Sequence, residues 1–449
     1  MNVLLVTVDS LRADHVGYHG YHRETTPRLD EFARTGTIYE NAFAHVGGTR
    51  FSFPSILSSV TPLMFGGHDT ISEKQTVVSE AFDQQGYRTG GFHSNLYLSG
   101  NYGYDRGFQT FFDSEPDPSI SSRLRRYVRT HLRETALYSL LQAGYDRVES
   151  TSGVNVGSFH VDGMELTDMA TDWIRQSEDR PSFLFVHYMD VHHPFLPPER
   201  YQRMFREDMI DHRESIKTRR KMLETPSEVT DAELESQIDL YDAEIRYTDE
   251  LVGRLIDCAY ETWGREETVV LFTADHGEHF LERGYFSGAQ PYDIKTHVPL
   301  LVMGPGAQGR HTDLVGLCDV PPTLLDMAGI ESPESYTGTS LASIWEGNEW
   351  PRQQVLGGWD PDEPTFVYRD DRWKYISSHD GQVELYDLEV DPREQTDLSG
   401  DADHAATLQS LEQQLRAHRE RVRQTATDSV PVVRDEAVRE RLRLLGYDE

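Results

Sequence analysis

Two apolar runs far apart in the chain end in the same way. Residues 2–9 read NVLLVTVD and residues 268–276 read TVVLFTADH. Continuous runs of β-branched, leucine and aromatic residues predict strands that are buried on both faces, as in a parallel sheet. Each run closes on a carboxylate: Asp9 in the first, and Asp275 followed by His276 in the second. Ligands of open α/β sheets sit beyond the carboxyl ends of the strands. If these two strands lie side by side, they deliver two carboxylates and an imidazole to one cation. Read without the first strand, Asp275 serves equally well as a helix cap and His276 as a turn residue.

The rest of the pattern frames these strands. Pro27 marks a helix start after Thr26. In the stretch 46–62, VGGTRFSFPSILSSVTP, Gly47 and Gly48 loosen the backbone, Pro54 reads as a turn, and Ser55–Val60 reads as the beginning of a helix. Ser119–Gln142 is helical by pattern with arginines grouped at its start, and Glu199–Gln237 is polar and helical, like an insertion. From about residue 343 the composition turns to Trp, Gly, Asp and Pro. Alternating segments at 365–369, 373–376 and 384–388 then predict a small antiparallel sheet, followed by a charged helix from His404 to about Thr425. The expected organisation is a catalytic domain over 1–345 with helical insertions near 115–150 and 199–237, a small α/β subdomain over 346–425, and a polar helical tail over 426–449.

Composition narrows the function classes. The chain has 449 residues, with 76 acidic against 43 basic side chains and a formal charge of −33. Such a field repels nucleic acid and anionic membrane surfaces. Lysine occurs only at Lys74, Lys217, Lys221, Lys295 and Lys374, so arginine carries most of the positive charge. A folded, acidic, lysine-poor chain resembles the proteins of salt-in halophiles. Cys258 and Cys318 are too few for a disulfide framework or a thiolate metal site. No apolar stretch reaches the ~18–20 residues that span a bilayer, and the N-terminus enters a strand directly, so a cytoplasmic location is expected.

Ser52 lies just ahead of the helix expected at Ser55, where orphan amides favour an anion. It either caps that helix or presents a nucleophilic hydroxyl. The ordered set Asp9 in VTVDSLRADHVGYHG, Ser52 in SFPS, His187 and His192 in VHYMDVHHPF, and Asp275-His276 in TADHGE resembles the sulfatase family of the alkaline phosphatase superfamily. Further blocks continue the likeness: YDAEIRYTDELVG at 241–253, HVPLLVMGPG at 297–306, DVPPTLLDMAGI at 319–330 and ELYDLEVDPREQTDL at 384–398. It therefore runs from about residue 2 to residue 400.

The resemblance implies an alkaline-phosphatase-like three-layer α/β sandwich with a mostly parallel central sheet, and hydrolysis of sulfate, phosphate or phosphonate esters of small molecules or glycans. It also implies one divalent metal (Ca, Mn or Zn) held by Asp9, Asp275, His276 and the Ser52 position, with Ser52 as nucleophile and His192 as the acid for the leaving group. His187 is a second site residue, a support, or a core histidine. Several positions depart from the family pattern. Ser10 stands where a second aspartate is usual, His276 where asparagine is usual, and Ile56 where the formylglycine-forming motif carries arginine. Formylglycine at Ser52 is therefore not expected, and the departures favour the phosphonate and phosphodiester branch. The family's Lys or His beyond TADHGE falls near Ser287 or Gly288, leaving Arg283 or Lys295 as its substitute. The competing expectations are a phosphotransferase that moves a phosphorylated head group onto a glycan or lipid, and a non-catalytic binder of anionic glycans.

Overall fold

The computed structural model describes residues 1–66, 70–113, 161–360 and 362–425. The helix expected at Ser119–Gln142 and the tail from 426 lie outside them. In chain order the strands are β1 (Asn2–Val8), β2 (Thr37–Phe43), β3 (Arg88–His93), β4 (Thr110–Phe112), β5 (Ser182–Tyr188), β6 (Thr268–Ala274), β7 (Leu300–Met303), β8 (Gly309–Gly316), β9 (Val355–Trp359), β10 (Thr365–Arg369), β11 (Trp373–Ser377) and β12 (Val383–Asp387). The helices used below are α1 (Pro27–Ala33), α2 (Thr49–Ser58), α3 (Val78–Gln84), α4 (Gly163–Arg175), α5 (Glu199–Phe205), α6 (His212–Glu224), α7 (Asp231–Trp263), α8 (Val320–Met327) and α9 (Ala405–Thr425).

One sheet runs β4-β3-β5-β1-β6-β7-β2-β8, and β7 alone runs against its neighbours. The two strands that end in aspartate are adjacent and parallel at its centre, in register from Asn2↔Thr268 to Val8↔Ala274. Every position of β5 and β6 is buried, so helices must cover both faces. Val8 and Phe272 face α7 and α1, where they meet Ile245, Val252 and Leu29. On the other face Phe53 of α2 packs edge-on to Phe185 and His187. Since side chains alternate along a strand, Thr7 and Asp9 share the α2 face. The 33-residue α7 begins with a Thr230–Glu233 capping box, each side chain satisfying the other's orphan amide.

The mostly parallel central sheet and a separate antiparallel sheet agree with the sequence expectation. The second sheet, β12-β11-β10-β9, has one strand more than the sequence suggested. Val355–Trp359 contains Gly357 and Gly358 and reads as a linker, yet it forms β9. Gly357 is required there because a Cβ would lie 1.7 Å from the His45 carbonyl oxygen. The same contact joins the two sheets, with His45 Nδ1 donating to the Leu356 carbonyl at 2.6 Å. Leu411 and Leu415 of α9 close the small core over Leu385 and Tyr375.

A second difference bears on chemistry. The sequence suggests a turn at Pro54 and a helix from Ser55, but α2 begins at Thr49 and carries Pro54 inside it. The polar insertion resolves into α5 and α6, and residues 231–237 belong to α7.

Candidate active site

The β1–β6 register puts Asp9 and Asp275 side by side, one residue past the Val8↔Ala274 pair. Both are fully buried. Ser10 turns out of β1 with φ 59°, a conformation costly for a non-glycine residue. That turn lets its amide donate to Asp275 Oδ1 (3.2 Å) and its hydroxyl donate to Asp9 Oδ1 (2.8 Å). Ser10 therefore fixes both carboxylates where a second aspartate would have added charge. His276 Nδ1 donates to the Gly277 carbonyl at 2.7 Å, which leaves the Nε2 lone pair facing inward. Nε2 lies 3.5 Å from Asp275 Oδ2 and 3.8 Å from Asp9 Oδ1.

Ser52 does not join this group. Its hydroxyl is buried and donates to the Val46 carbonyl at 3.1 Å. Thr49, the first residue of α2, occupies the place instead. Its Oγ1 lies 3.4 Å from Asp9 Oδ2 and 3.3 Å from His276 Nε2. The hydroxyl beside the carboxylates thus lies three residues before Ser52, almost one helical turn, because the helix starts six residues earlier than the Ser55 expected. The N-terminus of α2, with amides that lack intrahelical partners, points at the centre.

Two further side chains support Asp9. Asn95 donates from Nδ2 to Asp9 Oδ2 at 3.2 Å; nothing in its local sequence marks it. His187 follows from β5, where it pairs with Thr7. The Thr7 hydroxyl is 2.9 Å from His187 Nδ1. With that hydroxyl as donor, the ring proton sits on Nε2, 3.5 Å from Asp9 Oδ2. His187 is thus a buried prop beneath the carboxylate.

Above the carboxylates opens a cavity of about 360 Å³ whose wall includes Thr49, His192, His276 and Lys295. His192 Nδ1 donates to the His193 carbonyl at 2.7 Å, which leaves its Nε2 for other contacts. Lys295 sits in the single turn Asp293–Thr296 and pairs with buried Glu278 at 3.0 Å. It lines the cavity beside Ser287 and Gly288, filling the cationic place that those residues cannot. A Cβ on Gly47 would meet Lys295 Cγ at 2.2 Å, so glycine there admits the lysine. Arg283 does not substitute: it reaches the Tyr386 hydroxyl at 2.7 Å in the small sheet.

The electrostatics are those of a cation site. Burial alone would raise the Asp9 carboxyl, but the potential of His192, the bond from His187 and the nearby His276 hold it well below its usual range. Burial and the charge of Asp9 push Asp275 well above its usual value. Burial, with Lys295 adding to it, lowers His276 to about 4, which keeps its imidazole neutral. Asp275 Oδ2 has no hydrogen-bond partner. Among the described residues one set of metal-capable side chains converges, Asp9, His187 and Asp275, with ligand atoms within 4.8 Å of one another. Two carboxylates in contact, one with an orphan oxygen, and a neutral imidazole fit a divalent cation.

A family model for sulfatases matches residues 1–330, and a model of the N-sulphoglucosamine sulphohydrolase C-terminal region matches 281–421. The chain belongs to the sulfatase family. This sulfatase-family hydrolase is 26% identical to arylsulfatase K of Bos taurus over 461 residues, covering 93% of this chain and 81% of the relative. It is 25% identical to an arylsulfatase of Clostridium perfringens, covering 91% and 92%. Among solved structures it resembles the phosphonate monoester hydrolase of Agrobacterium radiobacter, with a TM-score of 0.71, 20% identity and coverage of 94% and 96%. Among the described residues no helix is long and apolar enough to cross a membrane.

Proposed function

We propose that this sulfatase-family protein is a metal-dependent hydrolase of phosphate or phosphonate esters whose nucleophile is the Thr49 hydroxyl. The observation that carries the reading is the position of Thr49 Oγ1, within 3.4 Å of both Asp9 and His276 at the mouth of a helix, while Ser52 is committed to Val46. Asp9, Asp275 and His276 would hold the cation, with Asn95, Ser10 and His187 orienting Asp9. The imidazole in that set and the missing second aspartate favour Mn or Zn over Ca. When bound, the cation supplies positive charge to the ester oxygens and acidifies the adjacent hydroxyl.

This chain's own residues account for the remaining steps. Thr49 Oγ1 gives up its proton to solvent and forms a bond to phosphorus, while the bond from phosphorus to the leaving oxygen breaks. His192 donates a proton to that oxygen. Lys295 pairs with a nonbridging oxygen, and the N-terminus of α2 adds partial positive charge. Water then attacks the phosphothreonine ester with His192 as base, which returns the Thr49 hydroxyl and releases the acid.

Phosphate or phosphonate is favoured over sulfate by the chemistry of threonine. Formylglycine releases its sulfate by using a geminal hydroxyl. Oxidised threonine would be a ketone, and unmodified threonine has one hydroxyl, so the covalent ester must be resolved by attack at the central atom. Four residues past Thr49 stands Phe53, and four past Ser52 stands Ile56; both are buried apolar residues and neither is arginine. Rapid quenching during turnover of a slow phosphonate ester, followed by peptide mass spectrometry, tests this. Modification on Thr49 is expected, with Ser52 unmodified. An aldehyde at Ser52 would refute the reading.

A further inference from the structure

Resting on that reading, we infer that the group esterified to the anion is small and apolar, aryl or alkyl, and that α6 supplies the wall that selects it. The cavity wall also carries Phe51, Tyr97, Phe286 and Leu223. Beyond Thr49, Lys295 and the two histidines its polar groups are Arg50, Ser287 and the Tyr97 hydroxyl, and among the described residues it contains no carboxylate and no carboxamide side chain. A site that reads a sugar rejects its competitors through buried polar groups placed against hydroxyls, and this wall offers no carboxylate or carboxamide acceptor for them. The volume, about 360 Å³, is at the small end of the ~300–1,000 Å³ of small-molecule sites.

Leu223 is one of four large hydrophobic side chains that are exposed among the described residues, at 38%. Its position is built. Arg219, four residues earlier and so on the same face of α6, donates from Nε to His193 Nδ1 at 2.9 Å. The His193 ring packs 5.1 Å from that of Phe286. The loop that carries His192 thus anchors α6, and the next turn of the helix places Leu223 at the cavity. An exposed leucine held in the same wall as Phe286 gains burial when an apolar group enters the cavity.

Binding to the full-length protein loaded with Mn²⁺ tests this without turnover, because phenylphosphonate and methylphosphonate present the same anion. Phenylphosphonate should bind at least about 10-fold tighter, the lower bound for discrimination by one pocket methylene, and tighter than a phosphonate analogue of glucose 6-phosphate. Leu223→Ser and Phe286→Ser should each cut the phenyl-to-methyl ratio at least threefold. A wild-type ratio near one, a ratio untouched by both variants, or preference for the sugar phosphonate overturns the inference. The paired kinetic experiment compares 4-nitrophenyl and methyl esters with glucosamine 6-sulfate. If the binding ratio holds but no ester is cleaved, the catalytic reading fails and the inference stands. If esters are cleaved with no aryl preference in kcat/KM, the inference fails and the catalytic reading stands.

Discussion

Substituting Thr49 and Ser52 one at a time separates two hydroxyls that lie three residues apart on one helix. Thr49→Ala removes the one hydroxyl that, among the described residues, lies within 3.4 Å of both Asp9 and His276. Deleting a nucleophile that works as part of a unit costs several orders of magnitude, about 10⁶ in a serine protease. A loss of at least about 10⁴ in kcat is expected here, since the cation site and Lys295 remain. Ser52→Ala removes one hydrogen bond to the Val46 carbonyl, an oxygen that also accepts from the Gly48 amide at 3.1 Å. The cost is about 1 kcal/mol of stability, with kcat within about threefold because no atom at the reacting centre moves. Thr49→Ser keeps the hydroxyl and loses a methyl, so activity within about tenfold of wild type is expected. The assay is kcat and kcat/KM on 4-nitrophenyl phenylphosphonate with added Mn²⁺, with thermal melts to establish folding. An inactive, folded Ser52→Ala beside an active Thr49→Ala would refute the assignment and return the nucleophile to Ser52.

Three other perturbations test the surroundings. Chelation should abolish turnover, and Mn²⁺ should raise the Tm of wild type more than that of His276→Ala; equal shifts in calorimetry would remove His276 from the ligand set. Burial, with Asp162 adding to it, raises the Asp190 carboxyl to about 7. The native state then keeps a proton that the unfolded chain releases near pH 4, so stability falls as pH rises from about 4 to 7. Asp190→Asn keeps an oxygen for the Gly163 amide and should flatten that slope and raise Tm at pH 8; a slope unchanged in urea titrations contradicts it. If the charge of −33 is an adaptation to high salt, Tm should climb steeply from low to molar KCl as self-repulsion is screened, and a flat response would end the halophile reading.

Much of the fold could be read from the sequence because its determinants are local. Runs such as VVLF and VLLV are apolar at successive positions, and in a sheet covered on both faces that pattern has one solution. Convergence of Asp9 and Asp275 followed from the same logic, since parallel neighbours that end in register present adjacent side chains. The supports were not legible. Asn95 reaches Asp9 from the end of β3, and Ser10 acts through a left-handed backbone turn; both depend on tertiary placement that no period reports. The strand β9 was hidden because Gly357 answers a demand from His45, a residue about 310 positions earlier.

That Thr49 rather than Ser52 stands beside the carboxylates has a specific cause. Proline is favoured in the first turn of a helix, where its missing amide is not needed, and Pro54 follows a stretch of glycine, threonine and serine that reads as a loop. On that rule Ser52 stands just outside the helix. In the structure the first turn is Thr49–Ser52, with Gly48 extended as its cap and the Ser52 amide already bonded to the Gly48 carbonyl at 3.0 Å. Pro54 sits three positions past the residues whose amides need no intrahelical partner, Gly48 to Phe51, so the helix forgoes one bond, the one to the Arg50 carbonyl. The competing signal was Gly47-Gly48 itself. Gly47 must lack a Cβ for Lys295 to pass, and a backbone stripped of side chains immediately before a hydroxyl residue is what an anion-binding helix N-terminus requires. Read by that requirement, the first hydroxyl after the glycines, Thr49, is the residue expected to meet an anion.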